Sequence, residues 1–587
     1  MQTFKDAPVL KRIVALVRPY RRRFAWTGVL VMVLALLSWI RPYLIRLAID
    51  EKVAAGDREG LLAIFVAVVG LVVIEAALQF FQTYWANWVA QSVTFDLRER
   101  LFAHVLNFRL AYFDKTPVGQ LVTRHVSDID GISNVFSNGL LNAVGDILRL
   151  LVVVVAMLLV DWELALVVLA PVPVLVWATR IFQKAIKSSF VAVRNEVSRI
   201  NVFVQEHVTG MGVVQAFHRE AAESAKFDVH NAAHRDANIR SVWAFSVFFP
   251  VVEMLSATSV ALLLWWGVDG VAAGKMSLGV VLQFVLYVFM LYGPIRQLAD
   301  RFNVLQMGIV NGQRVFALLD RQELMPISTA LDDASGDDDA FIFEGRVVFE
   351  DVWFAYNDED WVLRGVSFEV AAGETVAFVG ATGAGKSSII ALMSRFYAHQ
   401  KGRITIDGLD IASVPLPALR NGLCVVPQDV FLFSGTLREN ISLFDDGYSL
   451  EQVKDAAESV GAAAFIEQLP GGYNYDVRER GLMLSTGQRQ LIAFTRAYIR
   501  NPAVLILDEA TSSIDSESEA MIQRATARLT QGRTSVVVAH RLSTIRDAQQ
   551  ILVLDAGCIV ERGSHEDLLA MKGAYHRLFE LQFSSDA

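Results

Sequence analysis

Cysteine is nearly missing from this chain: Cys424 and Cys558 are the only two among 587 residues. Two thiols cannot form the multi-bridge framework of a small secreted domain, so a disulfide scaffold is excluded. Both are expected as buried structural thiols. A basic excess is missing too. Lys and Arg number 53 against 62 Asp and Glu, giving a net charge of −9 and a pI near 5.7. No global charge therefore draws the chain to nucleic acid, which is not expected as a partner. The first residues are polar and basic up to RRRF at 21–24. They lack the short apolar core and small-residue cleavage site of a secretory signal, so none is expected. Charge of either sign is sparse, at 20% of residues, while 53% are hydrophobic and mean hydropathy is +0.39. That is too apolar for an ordinary soluble protein and too charged for a purely membranous one. The length implies several domains.

What is abundant is apolar sequence, concentrated before about residue 300. Six runs are long enough to cross a bilayer, over 24–48, 61–93, 140–160, 164–182, 242–266 and 278–295. The second exceeds one bilayer and is expected to extend beyond it. The fourth carries Pro171 and Pro173, which a spanning helix tolerates where neighbours cover the freed carbonyls. Segments 1–23, 94–139 and 183–241 hold 20 Lys and Arg, and the connections at 50–60, 161–163 and 269–277 hold 3. That asymmetry predicts both termini and both long loops on the cytoplasmic side of a multi-pass inner (plasma) membrane protein. The two long loops carry helical periodicity with charge on the opposite face, so the membrane helices are expected to continue as amphipathic rods. Glycine or proline near 112–130 and 204–217 predicts turns at their far ends.

The segment 325–340, MPISTALDDASGDDDA, is acidic and poor in large apolar residues, and reads as a solvated linker. It divides a basic segment at 1–23 and a six-helix membrane domain at 24–324 from an α/β domain at 341–587. In that domain FVGATGAGKSSII at 378–390 fits G-x-x-x-x-G-K-[ST]. A strand leads into it and a helix leads out, the context a phosphate-binding loop requires. Glycine lets backbone N–H groups converge on phosphate oxygens, Lys386 neutralises phosphate charge, Ser387 can ligate Mg2+, and the helix N-terminus adds partial positive charge. A second buried strand, at 504–507, ends in Asp508 and Glu509. Asp508 is placed to hold Mg2+, and Glu509 to polarise an attacking water. A third strand, in TSVVVAHRLST at 534–544, ends in His540. Ligands gather at the carboxyl ends of strands in open α/β sheets, so a γ-phosphate contact is expected there.

These motifs and their order resemble an ABC exporter half-transporter of the bacterial multidrug type. Tyr356 in FAYN comes first, then 380–387, Gln428 in VVPQD, LSTGQ at 484–488, 504–509, Asp515 and His540. The resemblance spans nearly the whole chain and implies a membrane all-α six-helix exporter domain followed by an α/β P-loop ABC nucleotide-binding domain. It implies ATP with Mg2+ as cofactors. Tyr356 would stack on adenine, and Gly380, Thr382, Gly383, Ala384, Gly385, Lys386, Ser387 and Ser388 would hold the phosphates. Gln428 would contact Mg2+ or the attacking water and sense the membrane domain. Ser485, Gly487 and Gln488 would bind the γ-phosphate of ATP held by a second subunit, and Asp515 would link the two sites. One site needs two nucleotide domains, so the chain is expected to dimerise and to export amphipathic small molecules or lipids by alternating access. A lipid flippase or a gating protein on the same scaffold are the alternatives. Membrane lipid is a partner in each.

Two residues depart from the family pattern. Thr486 stands where LSGGQ has its first glycine, and Arg478 in DVRERG at 476–481 stands where glycine is common. Both lie on the surface that would face the partner's ATP, while this chain's own Lys386, Asp508 and Glu509 match the pattern. That combination favours a different half-transporter as partner over a second copy. Within the spans, Glu75 and Glu253 either recognise cationic amphipathic compounds or lie in interfacial extensions. Asp146 and Arg149 are spaced as an i,i+3 pair. Trp39, Phe80, Phe81, Phe245, Phe248, Phe249, Trp265 and Trp266 suit either an adaptable aromatic pocket or lipid contact.

Overall fold

The computed structural model describes residues 3–323, 325, 342–357, 359–508, 516–539 and 545–583. The expected linker lies outside these apart from Met325. The chain divides into two compact units, Met1–Leu106 with Val118–Arg321, and Asn107–Pro117 with Gln322–Ala587.

The first unit is helical. Its elements are α1 (Thr3–Ala15), α2 (Arg21–Leu37), α3 (Ile40–Leu47) and α4 (Arg58–Leu106). After α5 (Leu110–Lys115), which belongs to the second unit, come α6 (Val118–Thr123), α7 (Ile129–Asn134), α8 (Leu140–Val160), α9 (Trp162–Leu169), α10 (Val172–Thr209), α11 (Met211–Ala216), α12 (Glu220–Ala272) and α13 (Leu278–Leu319). Five helical stretches among the described residues are long and apolar enough to cross a membrane: Arg18–Val53, Arg58–Leu106, Val118–Val160, Trp162–Thr209 and Glu220–Ala272. The sixth expected run is the apolar first part of α13, Leu278–Pro294. The helices outrun the apolar runs, and α4 alone has 49 residues. Only 6% of its most apolar window is buried, so its hydrophobicity serves an apolar surrounding rather than this unit's core.

The fourth run is not one helix. α9 stops at Leu169 and α10 restarts at Val172, with Pro171 as its N-cap and Pro173 in its first turn. Proline is tolerated there because the first N–H groups of a helix have no intrahelical acceptor. Buried polar groups tie the helices together. Ser259 donates to Val168 O at 2.9 Å, and its hydroxyl meets that of Tyr292 at 2.8 Å. Asp50 accepts from Ser277 Oγ at 2.5 Å and from Gly279 N at 2.8 Å, fixing the start of α13. Asp146 makes its ion pair with Arg301 on α13, at 3.5 Å, rather than with Arg149. The i,i+3 spacing pointed to Arg149 instead, because spacing cannot see a cation on another helix. Phe248 stacks on Phe182 at 4.1 Å and Phe245 packs beside it, whereas Phe80, Phe81, Trp265 and Trp266 are exposed. Glu75 is half-buried and Glu253 exposed.

The second unit holds two sheets. β1 (Val347–Ala355), β2 (Trp361–Val370), β4 (Lys401–Ile406) and β5 (Leu409–Asp410) form an antiparallel sheet in the order β2-β1-β4-β5. The other has the order β10-β9-β3-β8-β7-β6, from β3 (Thr375–Gly380), β6 (Leu423–Val426), β7 (Val504–Asp508), β8 (Thr534–Val538), β9 (Gln550–Asp555) and β10 (Cys558–Gly563). β9, β3, β8, β7 and β6 run parallel. β3, β7 and β8 are buried almost throughout, which is why they read as continuous apolar runs rather than alternating ones. Helices α14 (Lys386–Met393), α15 (Leu416–Gly422), α16 (Leu437–Ser442), α17 (Leu450–Val460), α18 (Ala463–Gln468), α19 (Thr486–Arg500) and α20 (Ser516–Thr530) follow. The two cysteines are half-buried rather than buried. Cys558 donates to Arg364 O at 3.5 Å, and burial pushes the Cys424 thiol up, keeping it protonated at neutral pH.

Candidate functional site

Parallel pairing brings five carboxyl ends to one edge of the sheet, those of β3, β8, β7 and β6 among them. Phe378 on β3 is in register with Val538 on β8, and Val538 with Asp508 on β7. β6, next in the sheet, ends at Val426, two residues before the exposed Gln428. The loop 380–385 leaves β3 at this edge. Glu509, Asp515 and His540 lie outside the described residues. The chain reaches Glu509 directly from Asp508 and His540 from the buried Ala539, whose N–H donates to Phe378 O at 3.1 Å.

The loop needs glycine at two points for different reasons. A Cβ at Gly380 would fall 2.2 Å from Leu554 O. Gly385, the residue before α14, has φ +107°, in the left-handed region that costs other residues strain. Thr382, Gly383 and Ser387 are exposed, and Ala384 and Ser388 are buried. Lys386 is 7% exposed, and its ammonium donates to Gly380 O at 2.6 Å and Ala381 O at 3.0 Å. Burial holds its pKa below the usual lysine range, and the negative charge of Asp508 opposes that shift. The loop is thus a cradle with a desolvated cation at its floor and a carboxylate close enough to act on it. Ser387, Asp508 and Gln428 offer oxygen donors only, the donor set that suits Mg2+.

Tyr356 follows β1 and is 40% exposed. Its hydroxyl meets Ser388 Oγ at 3.0 Å, so it stands beside the helix that carries the loop's Lys386. Its ring meets Tyr397 edge-on at 5.0 Å.

LSTGQ forms the N-terminus of α19. Ser485 is the N-cap: its hydroxyl accepts from Gln488 N at 3.2 Å, and Gln488 Oε1 accepts from Ser485 N at 2.9 Å. This reciprocal cap satisfies two donors that a helix start would otherwise leave orphaned. Thr486 is the first helical residue and is exposed; Gly487 is buried. Arg489 donates to Thr486 Oγ1 at 3.3 Å. The sequence reading missed Arg489, although its i+3 spacing from Thr486 was visible. Upstream, Arg478 has φ +54° and ψ −160° and Arg480 has φ +55°.

The second omission is Tyr397. Its hydroxyl donates to the Asp114 carboxylate, and Lys115 donates to Asn357 Oδ1 at 3.2 Å. Backbone bonds from Arg109 N to Glu323 O (3.1 Å) and from Met325 N to Asn107 O (2.8 Å) fix the same segment. No local pattern marks such a contact, since Tyr397 and Asp114 are 283 residues apart.

The family models agree with this architecture. The ABC transporter transmembrane region matches residues 24–295, and the ABC transporter model matches 363–512. A probable multidrug resistance ABC transporter ATP-binding/permease protein of Bacillus subtilis, YheH, is 39% identical over 87% of this chain and 76% of its own length. An ATP-dependent lipid A-core flippase of Syntrophus aciditrophicus is 35% identical over 98% of this chain and 95% of its own. The structure of a bacterial Atm1-family ABC exporter with ATP bound superposes with a TM-score of 0.78 at 29% identity, covering 97% of this chain and 100% of that one. The chain belongs to the ABC transporter family, as an integral membrane exporter that joins a helical transmembrane domain to a nucleotide-binding ATPase domain and couples ATP hydrolysis to export.

Proposed function

We propose that this chain is one half of a dimeric exporter that moves amphipathic small molecules, drug-like or lipid-like, out across the cytoplasmic membrane. The observation that carries the reading is the convergence of the phosphate loop, Asp508 and the approach to Glu509 and His540 on one sheet edge, in a chain with six apolar runs. The Lys and Arg asymmetry of 20 to 3 supports a cytoplasmic nucleotide domain and cytoplasmic termini. The 24–324 and 341–587 division is the working domain boundary.

In this reading Tyr356 stacks on adenine, and backbone N–H groups from Gly380 to Ser388 hold the phosphates. Lys386 exchanges its carbonyl partners for phosphate oxygens. That exchange turns a buried, desolvated cation into a neutralised one, so nucleotide relieves a cost the folded loop carries. Ser387, Asp508 and Gln428 would hold Mg2+, which when bound supplies charge neutralisation at the β- and γ-phosphates. Glu509 orients and deprotonates the attacking water, and His540 contacts the γ-phosphate. Ser485, Gly487 and Gln488 serve the ATP held by the partner subunit, and Asp515 joins the two sites. ATP then favours the closed dimer through its higher affinity for that state, and hydrolysis removes the preference.

Arg478 supports a partner that differs from this chain. Its φ of +54° with ψ −160° suits glycine, the residue common there. Together with Thr486 it places both departures on the signature side and none on Lys386, Asp508 or Glu509. The drug-resistance and flippase names of the relatives support an amphipathic cargo without choosing between drug and lipid.

The test is ATP turnover of the purified chain in lipid, alone and with a candidate partner half-transporter, with and without drugs and lipids. Stimulation by amphipathic compounds is expected. Turnover unchanged by Glu509→Gln in every assembly would refute the catalytic assignment.

A further inference from the structure

Within the second unit, a cavity of about 520 Å3 lies between segment 107–117 and the nucleotide-binding fold. That is the size of a small-molecule site. Phe113, Phe354 and Tyr397 give it aromatic walls, and Arg109, Lys115, Arg395 and Arg420 give it charge. Tyr356 borders it as well, but none of the residues 380–388 does. The cavity is therefore separate from the phosphate loop, while sharing the aromatic side chain that the proposed nucleotide site uses.

Three arginines line it, Arg109, Arg395 and Arg420, and the guanidiniums of the last two are held by carbonyls, a ring and a thioether rather than by a carboxylate. Arg395 donates to the carbonyls of Ile411 at 2.9 Å and Val414 at 2.5 Å. Arg420 lies over the Phe396 ring at 5.5 Å and, among the described residues, its only hydrogen-bond acceptor is Met325 Sδ, at 3.8 Å. Its Nε is buried with no hydrogen-bond partner. Among the described residues neither makes an ion pair. Asp410, whose charge acts on Arg395, is ion-paired to Arg403 at 3.4 Å, and Asp114 accepts from Tyr397. Burial lowers the pKa of both arginines; the charge of Arg420 lowers that of Arg395 further, and Asp410 opposes it. Two cations beside an apolar void, neither of them ion-paired among the described residues, are costly unless an anion completes the set.

We propose that this cavity binds an organic anion with a flat apolar body. Its carboxylate or phosphate meets Arg395 and Arg420, and its body lies among Phe113, Phe354 and Tyr397. The occupant joins segment 107–117 to the loop that carries Tyr356, so it stiffens that segment. Any effect on nucleotide affinity rests on the proposed role of Tyr356; the binding itself does not.

The test uses the full chain in lipid nanodiscs. The Lys386→Ala background disables the phosphate loop as a competing site. The probes are 2-naphthoate, 1-naphthyl phosphate and, as the cationic control, 1-naphthylmethylammonium. The readout is amide hydrogen exchange of peptides covering 107–117 and 395–400. An anion is expected to slow exchange in both peptides, and Arg420→Met to weaken its apparent affinity by about tenfold or more. Arg420→Lys, which keeps the charge, restores part of it and guards against a folding defect. Protection by the phosphate probe alone supports a phosphate-headed ligand, and protection by both anions a broader anion site. Equal protection by the cation, an unchanged affinity in Arg420→Met, or no protection by either anion overturns the proposal. Because turnover is not read, failure of the catalytic assignment leaves this result intact.

Discussion

Arg478 is a residue whose backbone disagrees with its side chain. At φ +54° and ψ −160° it occupies a region populated almost only by glycine, and its N–H is held there by Asp476 Oδ1 at 2.9 Å. Such strain costs about 1–3 kcal/mol, and the extra unfolded-state freedom of glycine returns about 0.5–1 kcal/mol of that. Arg478→Gly is therefore expected to stabilise the folded chain by about 1 kcal/mol, seen as a higher thermal midpoint. Thr486 is different. It sits at the first helical position, where the backbone is right-handed and makes no demand for glycine. Its β-branch is thus tolerated, and what it changes is the surface: a methyl, and a hydroxyl engaged by Arg489. Thr486→Gly is expected to leave the thermal midpoint within a degree or two and to change turnover little beside a different partner chain. A large rise in turnover of the chain purified alone would instead mark a homodimer.

Lys386 links stability to function with a definite sign. Burial depresses its pKa in the folded chain. The charged form is therefore penalised below the folded pKa, where folded and unfolded chains both hold the proton. As pH rises past the depressed folded pKa toward the ordinary lysine value, the folded chain releases its proton first, and that penalty is relieved. Lys386→Met removes the penalty at all pH values. Its nucleotide-free thermal midpoint is expected to be no lower than that of the parent chain, while ATP turnover falls more than about a hundredfold.

At the scale of elements, α19 shows how one short sequence serves two purposes. Ser485 and Gln488 cap the helix reciprocally, and the same two side chains are the ones proposed to meet a phosphate. Ser485→Ala loses the cap and is expected to cost about 1 kcal/mol, whereas Ser485→Asp keeps a capping oxygen and leaves the unfolding midpoint near its parent value. The phosphate loop was legible because it is local, its Gly380, Gly385 and Lys386 lying within seven consecutive positions. The start of α19 carries a signal as local, the capping box of Ser485 and Gln488, which the sequence reading did not use. The break between α9 and α10 was only half legible: Pro171 and Pro173 announced a disturbance, but whether a helix bends or restarts depends on what surrounds it. Wholly illegible were the partners of Asp146 and Tyr397, set by helices and loops brought together from distant parts of the chain. Tyr397→Phe removes the hydroxyl that Asp114 accepts. It is expected to speed amide exchange across 107–117 while sparing 347–355, the strand that precedes Tyr356.

At the scale of the whole molecule, the proposed dimer leaves one chain supplying only half of each ATP site: the phosphate loop for one and the signature for the other. That division makes the identity of the partner readable from variants of this chain alone. If the partner is a different chain whose own site is slow, the Lys386 side of this chain serves the working site and its Ser485 side serves the slow one. Lys386→Ala is then expected to abolish turnover of the assembled transporter, while Ser485→Asp, with its helix cap intact, leaves most of it. In a homodimer every site contains both surfaces, because a two-fold pair repeats the same contacts. The two variants would then be equally silent. ATP turnover of each variant, measured in the same lipid with the partner present and absent, separates the cases. A Ser485→Asp chain that folds normally but hydrolyses nothing in either assembly would make the second subunit another copy of this chain.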